Sequence, residues 1–386
     1  MKKPRLMTPG PAPVPEDVLL EMARPVIHHR SAEAKQVITA CVAGLKEVFQ
    51  TQNDVLILTS SGTGAMEAAV VNVVPRGRKA IVLNAGWFAQ RWLKICQAFG
   101  IEAISVDFEW GQPVDPARVE NALAQHPDAV AVYGTLSETS TGTGHPVEAI
   151  GRIVARTDAV LAIDGISGIG AMECRTDAWG IDLLAVGSQK ALMLPPGLAF
   201  LAVSPKAWAK IDACDAPAFY FNLKAARKKM AEFDTPFTPA HTLLLGLKVA
   251  LDRIRAEGIE AVWERHRRMS EACQAGIQAL GLELFSARPA EGLTAFRVPE
   301  GLKDSDIRGR LAERFGITTI GGQDKLKGQI VRVGHMGYFD ELDVVAGLAA
   351  LELVLAELGH EVEPGRAVTA AQQVLMGQHA ALSETR

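Results

Sequence analysis

Short apolar runs rich in valine, isoleucine and leucine recur between residues 55 and 205, and segments long enough for helices separate them. Continuous apolar runs are typical of strands buried on both faces, and their alternation with helices favours a mostly parallel sheet covered by helices. The pattern therefore predicts an α/β fold with a seven-stranded sheet. The predicted strands are Val55–Leu58, Ala80–Leu83, Ala103–Val106, Ala129–Tyr133, Val160–Ile163, Leu183–Val186 and Ala199–Val203.

The pattern becomes helical from residue 240 onward. It then predicts a long helix over Glu264–Leu280, short strands over Leu293–Val298 and Ile330–Val333, and a helix over Glu341–Leu358, which together indicate a smaller α+β domain. For the C-terminal tail the pattern favours neither a helix nor disorder. The expected divisions are an N-terminal segment at 1–20, a large α/β domain at 21–260, a small C-terminal α+β domain at 261–364 and a tail at 365–386.

Composition and charge narrow the possible functions. The chain has 386 residues, of which 48% are hydrophobic and 22% charged, and a formal net charge of -4, so it lacks the basic field that nucleic acid binding requires. The five cysteines are far apart and form no Cys-x-x-Cys pair, which predicts a reducing compartment and no metal site. The sequence has neither the apolar core of a signal peptide nor an apolar run long enough to span a bilayer. We therefore expect a cytoplasmic protein without a membrane span.

Polar and small residues follow several of the predicted strands. In open parallel sheets, ligands bind beyond the carboxyl ends of the strands. Four segments lie at such positions and are expected to face one crevice. They are Thr59–Gly64, Thr135–Gly142, Asp164–Gly168 and Ser188–Pro196.

Asp164 and Lys190 each follow an apolar run, and Lys190 comes 26 residues after Asp164. An unpaired carboxylate beside a buried strand is costly, and the apolar surroundings of Lys190 are unusual for a surface lysine. Pyridoxal phosphate enzymes need such a pair, because a lysine binds the cofactor aldehyde and a carboxylate keeps the pyridine nitrogen protonated. Taken alone, Asp164 is equally well explained as the N-cap of a following helix.

The segment Thr59–Gly64 joins a predicted strand to a helix and is made of small and hydroxylated residues. Backbone N–H groups at such a helix N-terminus can approach a phosphate, and the helix dipole favours the negative charge. The segment lacks the Gly-Lys-Ser/Thr of a P-loop and the G-x-G-x-x-G dinucleotide motif. By itself it is more often a helix cap than a phosphate site.

Several motifs together resemble the class V pyridoxal phosphate-dependent aminotransferases, and most of all the branch of alanine–glyoxylate, serine–glyoxylate and serine–pyruvate aminotransferases. The resemblance extends from Thr8 to Gly337, which is nearly the whole chain. It implies the type I fold of pyridoxal phosphate-dependent transferases. The motifs, in chain order, are Ser61–Thr63, Asn84–Phe88, Glu138–Gly142, Asp164–Ser167 and Ser188–Ala191.

The resemblance implies a role for each residue around the cofactor ring. Lys190 would form the Schiff base, and Asp164 would contact the pyridinium nitrogen. Phe88 would stack on the ring, and Trp87 lies one residue from the matching position. A purely structural role as an aromatic residue of the core explains Phe88 nearly as well. Thr139 would lie near the phenolic oxygen of the cofactor.

The resemblance also implies how the phosphate and the substrate are bound. A loop from the neighbouring subunit would complete the phosphate site, so the active protein would be a homodimer. Thr238 matches this loop better than Thr235, which falls where some relatives carry tyrosine. Arg332 would bind the substrate α-carboxylate through its forked guanidinium, and Gly10 would border the substrate. The phosphate would be held by Ser61, Gly62, Thr63 and Gln189.

These roles predict an aminotransferase that moves an amino group from alanine or serine to glyoxylate or pyruvate by a ping-pong mechanism. Aminotransferases for 2-aminoethylphosphonate, phosphoserine or ureidoglycine are alternatives, because a few pocket residues determine the substrate. A non-catalytic subunit of a larger complex is another. A cysteine desulfurase is disfavoured, since such enzymes usually have histidines where this chain has Phe88 and Gln189.

Overall fold

The computed structural model describes residues 2–377, which fold into a seven-stranded sheet, a three-stranded sheet, two short two-stranded sheets and surrounding helices. The strands are β1 (Arg5–Leu6), β2 (Asp54–Leu58), β3 (Lys79–Asn84), β4 (Glu102–Asp107), β5 (Ala131–Thr135), β6 (Ser137–Glu138), β7 (Thr143–Gly144), β8 (Val160–Asp164), β9 (Leu183–Gly187), β10 (Ala199–Val203), β11 (Leu293–Arg297), β12 (Ile317–Thr318), β13 (Ile320–Gly321) and β14 (Ile330–Gly334). The α-helices are α1 (Glu16–Met22), α2 (Ala32–Phe49), α3 (Gly62–Val71), α4 (Ala89–Ala98), α5 (Pro116–Gln125), α6 (Val147–Val154), α7 (Pro205–Ala213), α8 (Leu223–Met230), α9 (His241–Glu257), α10 (Ile259–Ala279), α11 (Asp304–Phe315), α12 (Glu341–Glu357) and α13 (Arg366–Leu375).

The large sheet has the strand order β2-β10-β9-β8-β5-β3-β4. Strand β10 runs antiparallel to both of its neighbours, and the other pairs are parallel. The predicted mostly parallel, seven-stranded α/β sheet is therefore confirmed. Among the seven strands, the largest boundary error is in β5, which begins at Ala131 instead of Ala129, because its pairing with β3 and β8 starts at Ala131.

Consecutive strand residues point to opposite faces of this sheet and enter different cores. Ile57 packs with Ile38 and Leu244 on the face covered by α2 and α9, whereas Leu58 packs with Met66 on the face covered by α3. Both faces of the strands are thus buried under helices. This explains why the strands appear in the sequence as unbroken apolar runs.

A second core forms where the antiparallel sheet β11-β14-β13 packs against α10, α11, α12 and α13. Met7 belongs to this core, and β1 pairs in parallel with β12, so the start of the chain joins the C-terminal region. The helix α13 lies in the predicted tail and packs on α10, with Ala367 and Ala371 buried. We propose that the small domain extends through this helix, while 378–386 lie outside the described residues.

Within residues 2–377, no helix is both long and apolar enough to cross a membrane.

Candidate active site

Four polar segments meet at one edge of the large sheet. Strands β5, β8 and β9 are parallel neighbours, so their carboxyl ends lie on the same edge. Strand β2 is antiparallel to β10, which is antiparallel to β9, so β2 also ends there. Asp164 ends β8, and the segments that follow β2, β5 and β9 contain Ser61, Thr139 and Lys190.

Asp164 is the last residue of β8 and is 4% exposed. Burial raises the pKa of its carboxyl to about 7, and the nearby Glu138 adds to this rise, whereas the Ile166 N–H, Arg91 and Lys190 oppose it. The Ile166 N–H donates to Asp164 Oδ1 at 2.9 Å. Turns rather than a helix follow Asp164, so it is not a helix N-cap. A buried carboxylate at this position is suited to a protonated ring nitrogen.

Lys190 lies in the loop after β9 and is 9% exposed. Burial lowers its pKa to about 8; Asp164 opposes this shift, whereas Arg332 and Arg91 add to it. Its ammonium donates to the Pro9 carbonyl at 2.5 Å. A lysine with a depressed pKa can provide a neutral amine near neutral pH, which both binding an aldehyde and accepting a proton require.

The N-terminal segment lies directly over the lysine. Gly10 has a φ of +123°, and a Cβ at this position would lie 2.1 Å from Lys190 Nζ. The Ala12 N–H donates to the Gln189 carbonyl at 3.0 Å. Only glycine therefore fits at position 10, and the segment borders Lys190. The predicted contact of Gly10 with the substrate stays a prediction.

Arg332 lies in the middle of β14 and is 2% exposed. Its Nε and Nη2 donate to the Gly321 carbonyl at 3.0 and 2.7 Å, and its Nη1 donates to the Thr139 carbonyl at 2.8 Å. Within residues 2–377, no carboxylate oxygen lies within 4.0 Å of this guanidinium. Burial lowers the pKa of Arg332 to about 10, and Glu138 opposes the shift. Neutral carbonyls thus orient the guanidinium without compensating its charge, so an anionic ligand fits there.

The segment after β2 forms the N-terminus of α3. Ser61 occupies the N-cap position, but its side chain makes no capping hydrogen bond. Capping of the helix therefore does not explain this serine. A Cβ on Gly62 would lie 2.5 Å from Ile166 Cδ1, so the helix begins tightly against the Asp164 turn. The Oε1 atom of Gln189 is buried without a partner, and a rotated amide would present its NH2 group instead. These groups can accommodate a phosphate.

Phe88 immediately precedes α4, and its N–H donates to Glu138 Oε1 at 3.3 Å. The Arg91 guanidinium lies 5.1 Å from the Phe88 ring centroid. Trp87 instead packs against a cluster containing Trp110, which supports Phe88 as the ring-stacking residue. This assignment stays a prediction.

Thr139 is buried beside the turn after Asp164. Its Oγ1 lies 2.5 Å from Ser167 Oγ, and its carbonyl accepts the hydrogen bond from Arg332. Thr139 therefore connects the Asp164 turn to the arginine. Its contact with the cofactor phenolic oxygen also stays a prediction.

Sequence analysis assigned no role to Glu138, although this residue is fully buried at the centre of the site. Its carboxylate accepts from the Ala89 N–H at 2.9 Å and from the Ser140 hydroxyl at 2.6 Å. A Cβ on Gly86 would lie 2.3 Å from Glu138 Cγ. Glu138 thereby holds the start of α4, and with it Phe88, against the strand-end loop. In the sequence, Glu138 could have been identified as a site residue only from its position as a charged residue among small residues after a buried strand.

Arg91 is a second residue without an assigned role. It lies in the first turn of α4, and its Nη1 donates to Thr63 Oγ1 at 3.0 Å. In the sequence Arg91 is indistinguishable from an arginine on an exposed helix face. Only the packing of α4 against α3 brings it to the site.

The loop containing Thr235 and Thr238 lies at the outer side of the same strand end. The Ala240 N–H donates to Thr59 Oγ1 at 3.3 Å, while Thr235 Oγ1 donates to the Phe237 carbonyl at 2.6 Å. Thr238 is exposed. In the described part of this chain, neither threonine hydrogen-bonds to the residues of the phosphate segment, so their predicted contact with a phosphate stays a prediction.

The arrangement as a whole defines a pyridoxal phosphate-dependent transaminase. It combines a buried acid, a buried lysine of lowered pKa, helix N–H donors and an uncompensated arginine at the strand-end edge of an α/β sheet. The chain belongs to the class V aminotransferase family. The family model described as "Aminotransferase class-V" matches residues 8–340. The family, the fold and the cofactor expected from the sequence are thereby confirmed.

Similar proteins cover nearly the whole chain. It is 44% identical to the "Soluble hydrogenase, small subunit" of a Synechococcus species, over 97% of this chain and 98% of the relative. It is 34% identical to the L-aspartate–glyoxylate aminotransferase of Paracoccus denitrificans, over 95% of both chains. It is 32% identical to the serine–glyoxylate aminotransferase of Hyphomicrobium methylovorum, over 96% of this chain and 94% of the relative.

Solved structures show the same fold. The crystal structure of the ureidoglycine–glyoxylate aminotransferase from Bacillus subtilis superimposes with a TM-score of 0.92 at 29% identity. The match covers 97% of this chain and 99% of that chain. The fold described above is therefore shared with a solved aminotransferase over nearly the whole of both chains.

Proposed function

We propose that the protein transfers the amino group of a small amino acid, alanine or serine, to a small 2-oxo acid, glyoxylate or pyruvate, by a ping-pong mechanism. The observation that carries this proposal is the uncompensated guanidinium of Arg332 in the same site as the buried pair Asp164 and Lys190. An arginine with only carbonyl partners is suited to the α-carboxylate that amino acids and 2-oxo acids share.

Each residue has a defined task. Bound pyridoxal phosphate supplies an electron sink, and Asp164 keeps its pyridine nitrogen protonated. Arg332 binds the substrate carboxylate, which orients the amino acid for proton transfer. Lys190 would then take the proton from the substrate Cα and deliver it to the C4′ atom of the cofactor. The lowered pKa of Lys190 favours this task, because an amine must be neutral to accept a proton.

The names of two relatives support glyoxylate as the acceptor. The enzymes from Paracoccus denitrificans and Hyphomicrobium methylovorum are both named for glyoxylate. The donors in these names differ. Serine differs from alanine by one hydroxyl, which an apolar pocket rejects by only about 100-fold, so both amino acids can serve as donors.

Two alternatives remain to be tested against this proposal. The similarity to the ureidoglycine–glyoxylate aminotransferase supports ureidoglycine as an alternative amino donor in the same site. The hydrogenase subunit name supports a role as a partner in a larger complex. A partner role does not require the buried acid and lysine to react with an amino acid.

We expect the purified protein with pyridoxal phosphate to show a visible absorption band, and alanine or serine to bleach it within one turnover. Glyoxylate should then restore the band, because the second half-reaction returns the amino group. The measurement is a stopped-flow titration against alanine, serine, aspartate, ureidoglycine, phosphoserine and 2-aminoethylphosphonate. Bleaching only by one of the last four would replace the proposed donor. A band that no donor bleaches would favour the partner role.

The variant Arg332→Lys serves as the matched control for this titration. It keeps the positive charge but loses the forked contact, so the donor concentration that gives half bleaching should rise about 10- to 100-fold. The absorption band before addition of donor should stay unchanged. A variant that binds donors as tightly as the wild type would remove Arg332 from the substrate site.

We also propose that the protein is a homodimer in which the loop containing Thr235 and Thr238 completes the phosphate site of the other subunit. An exposed aromatic cluster next to this loop supports the proposal, because such patches often mark interfaces. Tyr220 stacks on Phe237 at 5.0 Å, and Phe219 beside them is 85% exposed.

A shared site predicts complementation between two inactive variants. Thr238→Glu places a negative charge beside the phosphate, and Lys190→Ala removes the cofactor lysine. A heterodimer of the two has one site with both an intact lysine and an intact loop. Differently tagged subunits, co-expressed and purified as the heterodimer, should recover about half of the wild-type rate, since half of the sites are intact. Absence of recovery in an isolated heterodimer would contradict the shared site.

A further inference from the structure

Arg91 connects two parts of the site that bind different portions of the cofactor. Its Nη1 donates to Thr63 Oγ1 at 3.0 Å, and its guanidinium lies 5.1 Å from the Phe88 ring centroid. Thr63 belongs to the first turn of α3, where the phosphate is expected. Arg91 is half-buried, so neighbouring side chains restrict its position.

The charge of Arg91 has no compensating partner in the described part of the chain, where no carboxylate oxygen lies within 4.0 Å of its guanidinium. Arg267, by comparison, is paired with both Glu264 and Glu271. Uncompensated charges that are partly removed from water are costly unless a ligand pairs with them. The charge also acts within the site, because it lowers the pKa of Asp164 and of Lys190.

The other two cations of the site are already committed. Lys190 binds the aldehyde end of the cofactor, and Arg332 lies on β14, where it contacts Thr139 and Gly321. A phosphate ester carries a charge of nearly -2 at neutral pH, whereas the N-terminus of a helix supplies roughly half a positive charge. The N-terminus of α3 therefore leaves most of the phosphate charge uncompensated.

We propose that Arg91 is the cationic residue that balances the phosphate charge of the cofactor, acting beside Thr63 at the N-terminus of α3. This inference rests on the proposed assignment of Ser61, Gly62 and Thr63 to the phosphate. It gives Arg91 a second effect, since the same guanidinium stacks on Phe88 and restricts the orientation of that ring.

The two effects can be separated by comparing pyridoxal phosphate with pyridoxal, the same aldehyde without phosphate. The apoprotein and its Arg91→Gln variant are titrated with each compound, and the visible band reports binding at Lys190. The affinity for pyridoxal phosphate should fall about 10- to 100-fold in the variant, the expected effect of losing a charge-assisted contact. The affinity for pyridoxal should change by less than about threefold, since it has no phosphate charge to lose.

Two further variants serve as controls. Arg91→Lys keeps the charge and should recover most of the affinity for pyridoxal phosphate. Lys94→Gln removes an exposed positive charge one turn later on the same helix, where Lys94 contacts Trp87, and should leave both affinities unchanged. A fall of equal size for both compounds in Arg91→Gln would overturn the proposal and leave only the contact with Phe88. No fall for either compound would also overturn it.

Phosphorus NMR of the bound cofactor provides a second readout. The second pKa of a phosphate monoester is about 6 in water, and a nearby cation lowers it. The phosphorus signal of the Arg91→Gln complex should therefore titrate at a higher pH than that of the wild type, and an unchanged titration would contradict the proposal. Both measurements omit amino donors, so a wrong substrate assignment would not affect them.

Discussion

Lys190→Ala is expected to abolish transamination, with a loss of at least about 10³-fold in rate, because the proposed function gives this one residue both the binding of the aldehyde and the transfer of the proton. The variant should also lose the visible band of the lysine-bound cofactor. Thermal stability of the apoprotein should not fall, since the substitution removes a buried amine whose pKa burial has lowered to about 8. Absorbance spectra, single-turnover kinetics and melting curves measure the three effects.

The matched control is Lys228→Ala, which removes an exposed lysine on α8. This variant should keep the visible band, the rate and the melting temperature. A Lys190→Ala protein that retains the band would show that another amine binds the aldehyde. Retained turnover without the band would instead assign the proton transfer to a different group.

Asp164→Asn is expected to lower the rate on the order of 10³-fold, because an amide cannot keep the pyridine nitrogen protonated as a carboxylate does. The same substitution should stabilise the apoprotein by roughly 2–4 kcal/mol at pH 8, since an ionised carboxylate in this buried position is costly. The loss of attraction to Lys190 opposes this gain, and burial is the larger effect. Activity and stability should thus change in opposite directions.

The stability gain depends on pH in a defined direction. The folded-state pKa of Asp164 is about 7 and its ordinary value is 3.8, so the folded protein binds the proton more tightly than the unfolded chain. Protonated Asp164 therefore contributes its full share of wild-type stability below pH 3.8, and this contribution is lost as the pH rises through 7. The difference between Asp164→Asn and the wild type should be large at pH 8 and should shrink towards pH 4.

Denaturant unfolding of the apoprotein at several pH values measures this difference. Asp215→Asn, on an exposed residue, is the control and should leave the free energy of unfolding unchanged at each pH. A difference that stays constant between pH 4 and pH 8 would show that Asp164 does not titrate in this range. The measurement of rate and the measurement of stability address separate properties, so either prediction can fail without the other.

Much of the fold was predictable because its signals are local. Each of the seven sheet strands was predicted to within two residues, since strands buried on both faces are continuous apolar runs. The family and its cofactor were also predictable, because short motifs at strand ends keep their order and spacing along the chain. Even so, the N-cap explanation of Asp164 could be rejected only from the structure, which has turns after that residue.

The sequence by itself determined the α/β class, the family and the cofactor, and it predicted that Asp164 and Lys190 act as a pair. Only the tertiary structure revealed that Glu138 is buried against the start of α4, that Arg91 contacts Thr63, and that Gly10 packs on the lysine. The physical reason is that a side chain acquires its burial, hydrogen bonds and electrostatic partners from segments distant in the sequence. Local patterns determine which elements form, whereas packing between elements determines which charges remain uncompensated and available for a ligand.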